Sequence, residues 1–307
     1  MIGQAMQEEI VALFEGYPGR VLLNESLSPY TSLKIGGKAS AIVFPESIEE
    51  VSALVKRIGD TQIFVLGAGS NLLVLEGGIE GVVIHLGALN QGVLTGESTF
   101  YAEAGLSFPR LSTIVEKQEL SGLEFAAGIP GTVGGAIAMN AGIPTEETAD
   151  VLKAVTFIRP EGDITTLPRE AIPFSYRNAG LPPGAIVLSA EFRLQKASLG
   201  NIERKRIDLL KRRRETQPLS YPNAGSIFKN PKNASAGKLI EEVELKGHQI
   251  GGAQISERHG NFIINLGNAT ATDVMAIIQL AQERVLLEKG IVLEPEIKIV
   301  GRHSSCR

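Results

Sequence analysis

The sequence predicts an α+β protein, and three features of its patterning support this prediction. Short segments alternate between apolar and polar residues, as strands do, and separate stretches place apolar residues at helical spacing. Long glycine-rich tracts lie between these segments. With 307 residues, the chain is long enough for two or three modest domains.

The first 80 residues predict a β–α–β unit. Residues 5–16 have a short helical pattern, and residues 19–45 alternate in short runs typical of strands. The segment "SIEEVSALVKRIGD" predicts a helix in which Ser47 is the N-cap and Glu50, three residues later, completes a capping box. "QIFVLGAGSNLLVL" then predicts a strand, a glycine turn and a second strand.

Residues 78–200 predict short strands, one helix ("SFPRLSTIVEKQEL") and a glycine-rich tract. "LGNIERKRIDLLKRRRETQP" predicts a helix that ends before Pro218 and marks the best domain boundary. Its many basic residues favour a solvated helix face, and contact with a pyrophosphate-bearing substrate is the alternative.

The C-terminal third predicts a helix near 236–244 and a strand near 261–265. "TATDVMAIIQLAQERVLLEKG" predicts a longer helix, with Thr272 as its cap and Gly290 at its end. The last segment, "IVLEPEIKIVG", alternates as a strand.

Composition narrows the functional class. The chain is 43% hydrophobic and has a net charge of −4, so it can form a packed core and gives no reason to expect nucleic acid or an anionic membrane as a partner. The lone cysteine, Cys306, fits a reducing compartment. No signal-peptide pattern and no apolar run of ~20 residues occurs, so we expect a cytoplasmic protein outside the membrane. The histidines have no metal-ligand spacing, so no metal site is expected.

The loop "LGAGSNLLV", residues 66–74, is the first candidate site. Gly67 and Gly69 let the backbone approach a ligand closely, and Ser70 and Asn71 place polar side chains beside N–H groups, which favours a phosphate nest. The third glycine of the dinucleotide fingerprint is missing, and a plain turn between two strands is the alternative.

The tract "LEFAAGIPGTVGGAIAMNAG", residues 123–142, is the second candidate. Its small residues let the backbone pack against other backbone or against a flat ligand. A short helix inside it would direct unpaired N–H groups at a phosphate, and a tight packing corner is the alternative. Two charge-poor glycine loops in one chain favour one large nucleotide cofactor.

Charged residues near two turns are further candidates. In "PFSYRNAG", Arg177 is either a cationic fork for a carboxylate or an ordinary surface arginine. In "LEPEIKIVG", Glu294 and Glu296 share a strand face, which is either solvated or delivers one carboxylate to a cleft.

The segment "YPNAGSIFKNP", residues 221–231, surrounds Ser226 with turn-forming residues. It departs from the nucleophile elbow G-x-S-x-G at the closing position, and no histidine is near in the sequence. Lys229 and Asn230 suit a phosphate or another polar ligand. An unremarkable turn serine is the alternative.

In this order and at this spacing, "LGAGSNLLV", "AGIPGTVGGAIAMNAG", "SYR", "NAGSIFKNP" and "LEPEIKIVG" resemble the UDP-N-acetylenolpyruvoylglucosamine reductase family, the MurB enzymes of peptidoglycan synthesis. The resemblance extends from about Thr31 to Gly301, and the length is similar to the shorter type II group, for which no lid tyrosine is assigned. It implies a two-domain FAD-binding unit of the p-cresol-methylhydroxylase type with a smaller α+β substrate domain. The implied subdomains are 1–80 and 81–215 for FAD, with segment 291–307 returning to the second, and 216–290 for substrate.

The resemblance also implies the chemistry. NADPH would be the co-substrate, FAD would bind non-covalently, and the enolpyruvyl ether of UDP-N-acetylglucosamine would be reduced to UDP-N-acetylmuramate. Ser226 would donate a proton to C2, Arg177 and Glu296 would bind and polarise the substrate carboxylate, and Lys229 and Asn230 would contact the UDP-sugar. We expect a monomer or weak oligomer. The residues implied for FAD are Gly67, Ala68, Gly69, Ser70, Asn71, Leu72, Gly128, Ile129, Pro130, Gly131, Thr132, Gly134, Gly135, Ala136 and Asn140.

Two alternatives remain open from the sequence. One is another FAD-dependent oxidase or dehydrogenase of the same fold, in which a histidine or cysteine often tethers the flavin; His85 is the nearest candidate and lies on an apolar strand. The other is a nucleotide-binding module that has kept the fold without catalysis.

Overall fold

The computed structural model describes residues 2–303 of the chain, and for residues 2–6 the backbone only. Cys306 and the end of the expected segment 291–307 lie outside the described residues. The α-helices are α1 (Ile2–Leu13), α2 (Ile48–Ile58), α3 (Phe108–Glu116), α4 (Val133–Ala138), α5 (Thr148–Val151), α6 (Leu199–Thr216), α7 (Ala236–Glu242) and α8 (Ala271–Lys289).

The strands are short and most of them fall where the alternating segments predict them. They are β1 (Val21–Ser26), β2 (Lys38–Val43), β3 (Ile63–Leu66), β4 (Leu72–Val74), β5 (Ile79–His85), β6 (Gly92–Leu94), β7 (Thr99–Glu103), β8 (Leu120–Ser121), β9 (Gly142–Ile143), β10 (Glu146–Glu147), β11 (Leu152–Ile158), β12 (Ile164–Pro168), β13 (Ile186–Arg193), β14 (Gln195–Lys196), β15 (Asn223–Ser226), β16 (Gln249–Ile250), β17 (Ala253–Ile255), β18 (Phe262–Asn265) and β19 (Lys298–Val300). Helix and strand therefore both contribute, as the α+β prediction requires.

Helix α2 begins where its cap predicts. The Ser47 side chain accepts a hydrogen bond from the Glu50 N–H at 3.1 Å, and the predicted apolar face is buried. The predicted capping box is wrong in one respect. The Glu50 carboxylate accepts the Glu46 N–H at 2.7 Å and the Tyr17 hydroxyl, so nearby donors take the group that was expected to close the box.

The predicted cap of α8 is also wrong. Thr270, not Thr272, is the N-cap: its side chain accepts the Asp273 N–H at 3.1 Å, and the Asp273 carboxylate accepts the Thr270 N–H at 2.9 Å. The Thr272 N–H instead donates to the Glu76 carboxylate at 2.7 Å. Gly290 ends the helix in the left-handed conformation, as predicted.

The chain divides into two compact units. Unit 1 comprises Met1–Leu22, Ala41–Ala68 and Gly81–Arg212, and unit 2 comprises Leu23–Ser40, Gly69–Glu80 and Arg213–Arg307. The three-domain division inferred from the resemblance stays a prediction.

Unit 1 contains an antiparallel sheet in the order β12-β11-β13-β7-β6. The central strand β13 buries Leu188, Ala190 and Phe192, which join the hydrophobic core of this unit. In the same unit, Ile63–Leu66 of β3 pairs in parallel with residues 82–85 of β5.

Unit 2 contains an antiparallel sheet in the order β15-β18-β17-β16, with α7 and α8 contributing buried residues to the same core. Strands β4 and β19 form a parallel pair. The prediction of a strand across 291–301 is wrong for its first part, because only Lys298–Val300 form one. Pro295 makes an isolated bridge with Phe228, and a proline cannot donate to a continuous ladder. Among the described residues, no helix is both long and apolar enough to cross a membrane.

Candidate functional site

A cavity of about 280 Å³ lies in unit 1, and residues of two predicted cofactor loops line it. Gly67 comes from the first loop, and Thr132, Gly134 and Gly135 come from the second. A side chain at Gly67 would place its Cβ 2.6 Å from the Thr132 hydroxyl oxygen, so the contact of the loops requires glycine there. The small residues of the two glycine-rich loops therefore form one surface.

The rest of the lining was not predicted. It is mainly apolar and includes Leu86, Ala104 and Val187, together with Asn178 and Ala179 just after Arg177. Such residues carry no chemical signature, and only their meeting in the folded chain identifies them.

The expected phosphate seat at a helix N-terminus in the second tract stays a prediction, and the structure limits which amides could form it. Helix α4 does start at Val133, but its first N–H groups already have partners. Val133 N–H donates to the Leu106 carbonyl at 2.9 Å, Gly134 N–H to the Ala104 carbonyl at 2.8 Å, and Gly135 N–H to the Thr132 hydroxyl at 3.4 Å. The tract therefore borders the cavity without offering these amides to an anion.

In unit 2, the first loop binds other parts of the chain. Gly69 has a φ of 60°, and a Cβ there would collide with the Tyr30 carbonyl oxygen. The Asn71 side-chain amide donates to the Glu296 carbonyl at 3.2 Å, and the Asn71 carbonyl accepts the Lys298 N–H at 3.1 Å. Asn71 thus holds the segment that carries Glu296.

Arg177 lies at the corner of a tight turn in unit 1. Ser175 and Asn178 exchange backbone hydrogen bonds of 2.8 and 3.1 Å, and Arg177 has a φ of 59°, which is unusual for a residue other than glycine. Its guanidinium lies 5.0 Å from the centre of the Tyr176 ring, and one nitrogen is 3.5 Å from the Gly142 carbonyl. The half-buried Arg177 side chain therefore contacts Tyr176 and Gly142, and its role as a cationic fork for a carboxylate stays a prediction.

Asn140 supports this turn. The side chain is 1% exposed, and its amide nitrogen donates to the Ser175 carbonyl at 3.2 Å while its oxygen accepts the Ala149 N–H at 3.0 Å. The sequence suggested that Asn140 contacts the cofactor, and the structure shows its polar atoms bonded to backbone beside the Arg177 turn.

The motifs that contain Ser226 and Glu296 lie on neighbouring segments of unit 2. Ser226 ends β15, and the following Ile227 carbonyl accepts the Glu296 N–H at 2.7 Å. Lys229 N–H donates to the Glu294 carbonyl at 2.9 Å, so residues 227–229 run beside residues 294–296. The serine motif and the glutamate motif, far apart in the sequence, therefore meet.

The two residues expected to contact substrate have partners within unit 2. The Lys229 ammonium forms an ion pair with the exposed Glu294 carboxylate. The Asn230 side-chain oxygen accepts the Ala236 N–H at 3.1 Å at the start of α7. Their contact with substrate stays a prediction.

A buried charge supports the hairpin formed by β9 and β10 in unit 1. Glu124 is 2% exposed; burial alone would raise the pKa of its carboxyl, but the Ser121 hydroxyl at 2.5 Å, backbone N–H groups and Lys205 outweigh this and lower it. The Lys205 Nζ lies 3.5 Å from Glu124 Oε2 and 2.6 Å from Oε1 of Glu146 in β10. Burial alone would lower the pKa of the Lys205 ammonium, but the two carboxylates outweigh this and raise it. The cluster ties α6 to the hairpin whose Gly142 contacts Arg177.

His85, the candidate for a flavin tether, is half-buried and contacts Gly87 and Phe44. Its Nδ1 accepts the Gly87 N–H at 3.3 Å, and its ring centre lies 5.3 Å from that of Phe44. Burial lowers the pKa of His85. Among the described residues, no group of three or more His, Cys, Asp or Glu side chains could hold a metal ion.

Two family profiles match separate stretches of the chain. The profile of the FAD binding domain matches residues 39–168, and that of the UDP-N-acetylenolpyruvoylglucosamine reductase C-terminal domain matches residues 217–300. The chain is 43% identical to UDP-N-acetylenolpyruvoylglucosamine reductase of Syntrophomonas wolfei, over 92% of this chain and 96% of that one. It is 45% identical to the protein of the same name from Caldanaerobacter subterraneus, over 92% and 94% of the two chains.

A solved structure gives a consistent result. The crystal structure of UDP-N-acetylenolpyruvylglucosamine reductase (MurB) from Thermus caldophilus matches with a TM-score of 0.80 and 39% identity, over 92% of this chain and 98% of that one. The predicted α+β fold with an FAD-binding part is thereby confirmed.

Proposed function

Because the chain belongs to the UDP-N-acetylenolpyruvoylglucosamine reductase family of FAD-dependent oxidoreductases, we propose that it reduces the enolpyruvyl ether of UDP-N-acetylglucosamine to UDP-N-acetylmuramate, with NADPH as reductant. The observation that carries the proposal is the pairing of residues 227–229 with residues 294–296, which brings the family's serine motif beside its glutamate motif. This step belongs to peptidoglycan precursor synthesis.

The cavity of unit 1 fits part of a flavin nucleotide. Its lining of glycine, alanine and aliphatic residues suits a flat apolar ring, and its volume is near the lower end of ligand pockets, about 300 Å³. Gly67, Thr132, Gly134 and Gly135 would border FAD directly, and the other residues implied for FAD by the resemblance are proposed to hold the remainder. Bound FAD would supply the two-electron chemistry, taking hydride from NADPH and delivering it to C3 of the enolpyruvyl group.

Ser226 is the proposed proton donor. Addition at C3 leaves negative charge on C2 that spreads into the substrate carboxylate, and the Ser226 hydroxyl donates its proton to C2 to complete the saturated ether. Such general acid assistance contributes roughly 10²–10⁴ in rate. A serine that acts as an acid needs no adjacent base, which accounts for a motif without a neighbouring histidine.

Arg177 and Glu296 are proposed to stabilise the developing charge. The Arg177 guanidinium would bind the substrate carboxylate, and Glu296 would polarise it through a shared proton. Oriented charges of this kind act most strongly where water is excluded. Lys229 and Asn230 are the proposed contacts of the UDP-sugar, and Lys229 would then exchange its ion pair with Glu294 for a phosphate.

The experiment separates the two half-reactions. Ser226→Ala is compared with Ser220→Ala, a control at an exposed serine six positions earlier in the chain. Flavin reduction by NADPH or NADH is followed by absorbance without oxygen, and reoxidation is then started with the enolpyruvyl substrate. We expect Ser226→Ala to retain flavin reduction and to lose transfer by roughly 10²–10⁴-fold.

Four outcomes would contradict parts of the proposal. Unchanged transfer in Ser226→Ala would remove the assigned acid. Faster reduction by NADH than by NADPH would overturn the assigned reductant. Flavin that stays with the protein after acid precipitation would favour the covalent oxidase, and FAD binding without any transfer to the enolpyruvyl substrate would favour the non-catalytic module.

A further inference from the structure

The Asn261 side chain makes an unusual contact for a residue outside every sequence motif. It is 3% exposed, and its amide oxygen accepts the Phe228 N–H at 2.9 Å while its amide nitrogen donates to the Phe228 carbonyl at 2.8 Å. One side chain thereby satisfies both polar groups of a residue two positions after Ser226. The Asn261 backbone is fixed too, since its carbonyl accepts the Ile227 N–H at 2.9 Å and its N–H donates to His259 Nδ1 at 3.2 Å.

The contact between Asn261 and Phe228 lies just beyond the end of the ladder between β15 and β18. Ser226 is paired with Phe262 across an irregular register, and beyond it the chain has no further ladder pairs with β18. The Asn261 amide replaces the missing backbone groups at Phe228. The opposite edge of the segment then pairs with the C-terminal segment, because the Ile227 carbonyl accepts the Glu296 N–H at 2.7 Å.

We infer that Asn261 is a positioning residue that sets the place of the Ser226 hydroxyl. The inference rests on the proposed function for the role of Ser226. Without the amide, Phe228 would lose both of its bonds to Asn261, and the segment that follows Ser226 would keep only the Ile227 N–H bond on the β18 side. Displacement of a reacting group by about 1 Å can cost on the order of 10²-fold in rate.

The test uses two variants of the full chain loaded with FAD. Asn261→Ala removes both side-chain bonds, and Asn261→Asp keeps the size and the acceptor while removing the donor. Asn265→Ala is the matched control, because Asn265 is 4% exposed, lies at the other end of β18 and bonds backbone groups of Leu33, Gly267 and Ala269. Flavin reduction by NADPH, transfer to the enolpyruvyl substrate and thermal unfolding are measured for each.

We expect both Asn261 variants to retain flavin reduction within about twofold and to lose transfer to the substrate by up to about 10²-fold. Asn265→Ala should lose stability without a selective loss of transfer. The decisive measurement is the double variant Ser226→Ala/Asn261→Asp, which should transfer no more slowly than Ser226→Ala alone, because Asn261 acts through Ser226. An additive loss in the double variant would overturn the positioning role and leave the acid role intact. Unchanged transfer in Ser226→Ala would instead overturn the acid role. Loss of fold and FAD together in both Asn261 variants would assign Asn261 to the fold alone.

Discussion

Replacing Gly67 with alanine would place a methyl group 2.6 Å from the Thr132 hydroxyl oxygen. Carbon and oxygen do not approach so closely in a packed interior, so the loop or Thr132 must move. Both residues border the cavity of unit 1, and the movement therefore changes the surface proposed to meet FAD. We expect Gly67→Ala to weaken FAD binding while the protein still folds.

The magnitude follows from the contact. Overpacking of this kind costs about 1–3 kcal/mol, which corresponds to about a 5- to 150-fold weaker binding constant if the strain falls on the bound state. The strain comes from the Thr132 hydroxyl oxygen. The next two Thr132 atoms would lie at 3.4 and 3.6 Å from the new methyl group, which is ordinary van der Waals contact. Thr132→Ala removes the clashing oxygen and loses a long capping bond of 3.4 Å to Gly135, so its own cost should be near the low end of about 0.5–2 kcal/mol.

The assay is titration of the apoprotein with FAD, followed by quenching of flavin fluorescence, with thermal unfolding measured in parallel. Gly96→Ala is the control, because a Cβ at Gly96 would have its nearest neighbour at 3.8 Å. We expect Gly67→Ala to bind FAD weakly, and Gly67→Ala/Thr132→Ala to recover part of the affinity. Normal affinity in the single variant, or no recovery in the double variant, would refute the view that this contact shapes the cofactor surface.

Two further predictions concern the support of the Arg177 turn. Asn140→Ala leaves the buried N–H of Ala149 without its partner and removes one of the two bonds to the Ser175 carbonyl, which costs about 1–3 kcal/mol. Steady-state kinetics should show a raised KM for the enolpyruvyl substrate with flavin reduction by NADPH retained, and an unchanged KM would contradict the role given to the turn. Because the pKa of Glu124 is lowered in the folded protein from 4.5, its ionised form stabilises the fold above that pH and the contribution is lost as pH falls through the lower folded value. Urea unfolding should therefore show a gap between the wild type and Glu124→Gln that is constant at neutral pH and closes in acid, and a gap that persists at every pH would contradict the linkage.

Local patterns in the sequence were reliable where a few neighbouring residues determine the structure. The Ser47 cap, the apolar face of α2 and the left-handed Gly290 were predictable, because each depends on residues within about one helical turn. The start of α8 was misplaced by two residues, since Thr270 and Thr272 are both suitable caps. Asp273, three residues after Thr270, decides between them by closing the capping box.

Long-range contacts could not be predicted in the same way. Asn261 has no feature in the sequence that separates it from Asn265, and no local pattern indicated that the distant carbonyls of Leu106 and Ala104 accept the first N–H groups of α4. The meeting of Gly67 with Thr132 likewise depends on the packing of loops that are far apart in the chain. The patterns indicated which type of residue each position needs, but they did not indicate which distant residues contact it.

The choice between Glu294 and Glu296 shows how the structure adds to the sequence. Their alternation gave both the same face, so only the resemblance favoured Glu296. Glu294 is exposed and ion-paired with Lys229, and exposed pairs contribute at most about 1 kcal/mol, which fixes a carboxylate only weakly. The Glu294 main chain has one bond to a neighbouring segment, from the Lys229 N–H to its carbonyl, whereas the Glu296 main chain is held on both sides, by the Ile227 carbonyl at its N–H and by the Asn71 amide at its carbonyl. Since electrostatic catalysis depends on a charge that is placed before the reaction begins, the better-anchored residue is the stronger candidate for polarising the substrate carboxylate.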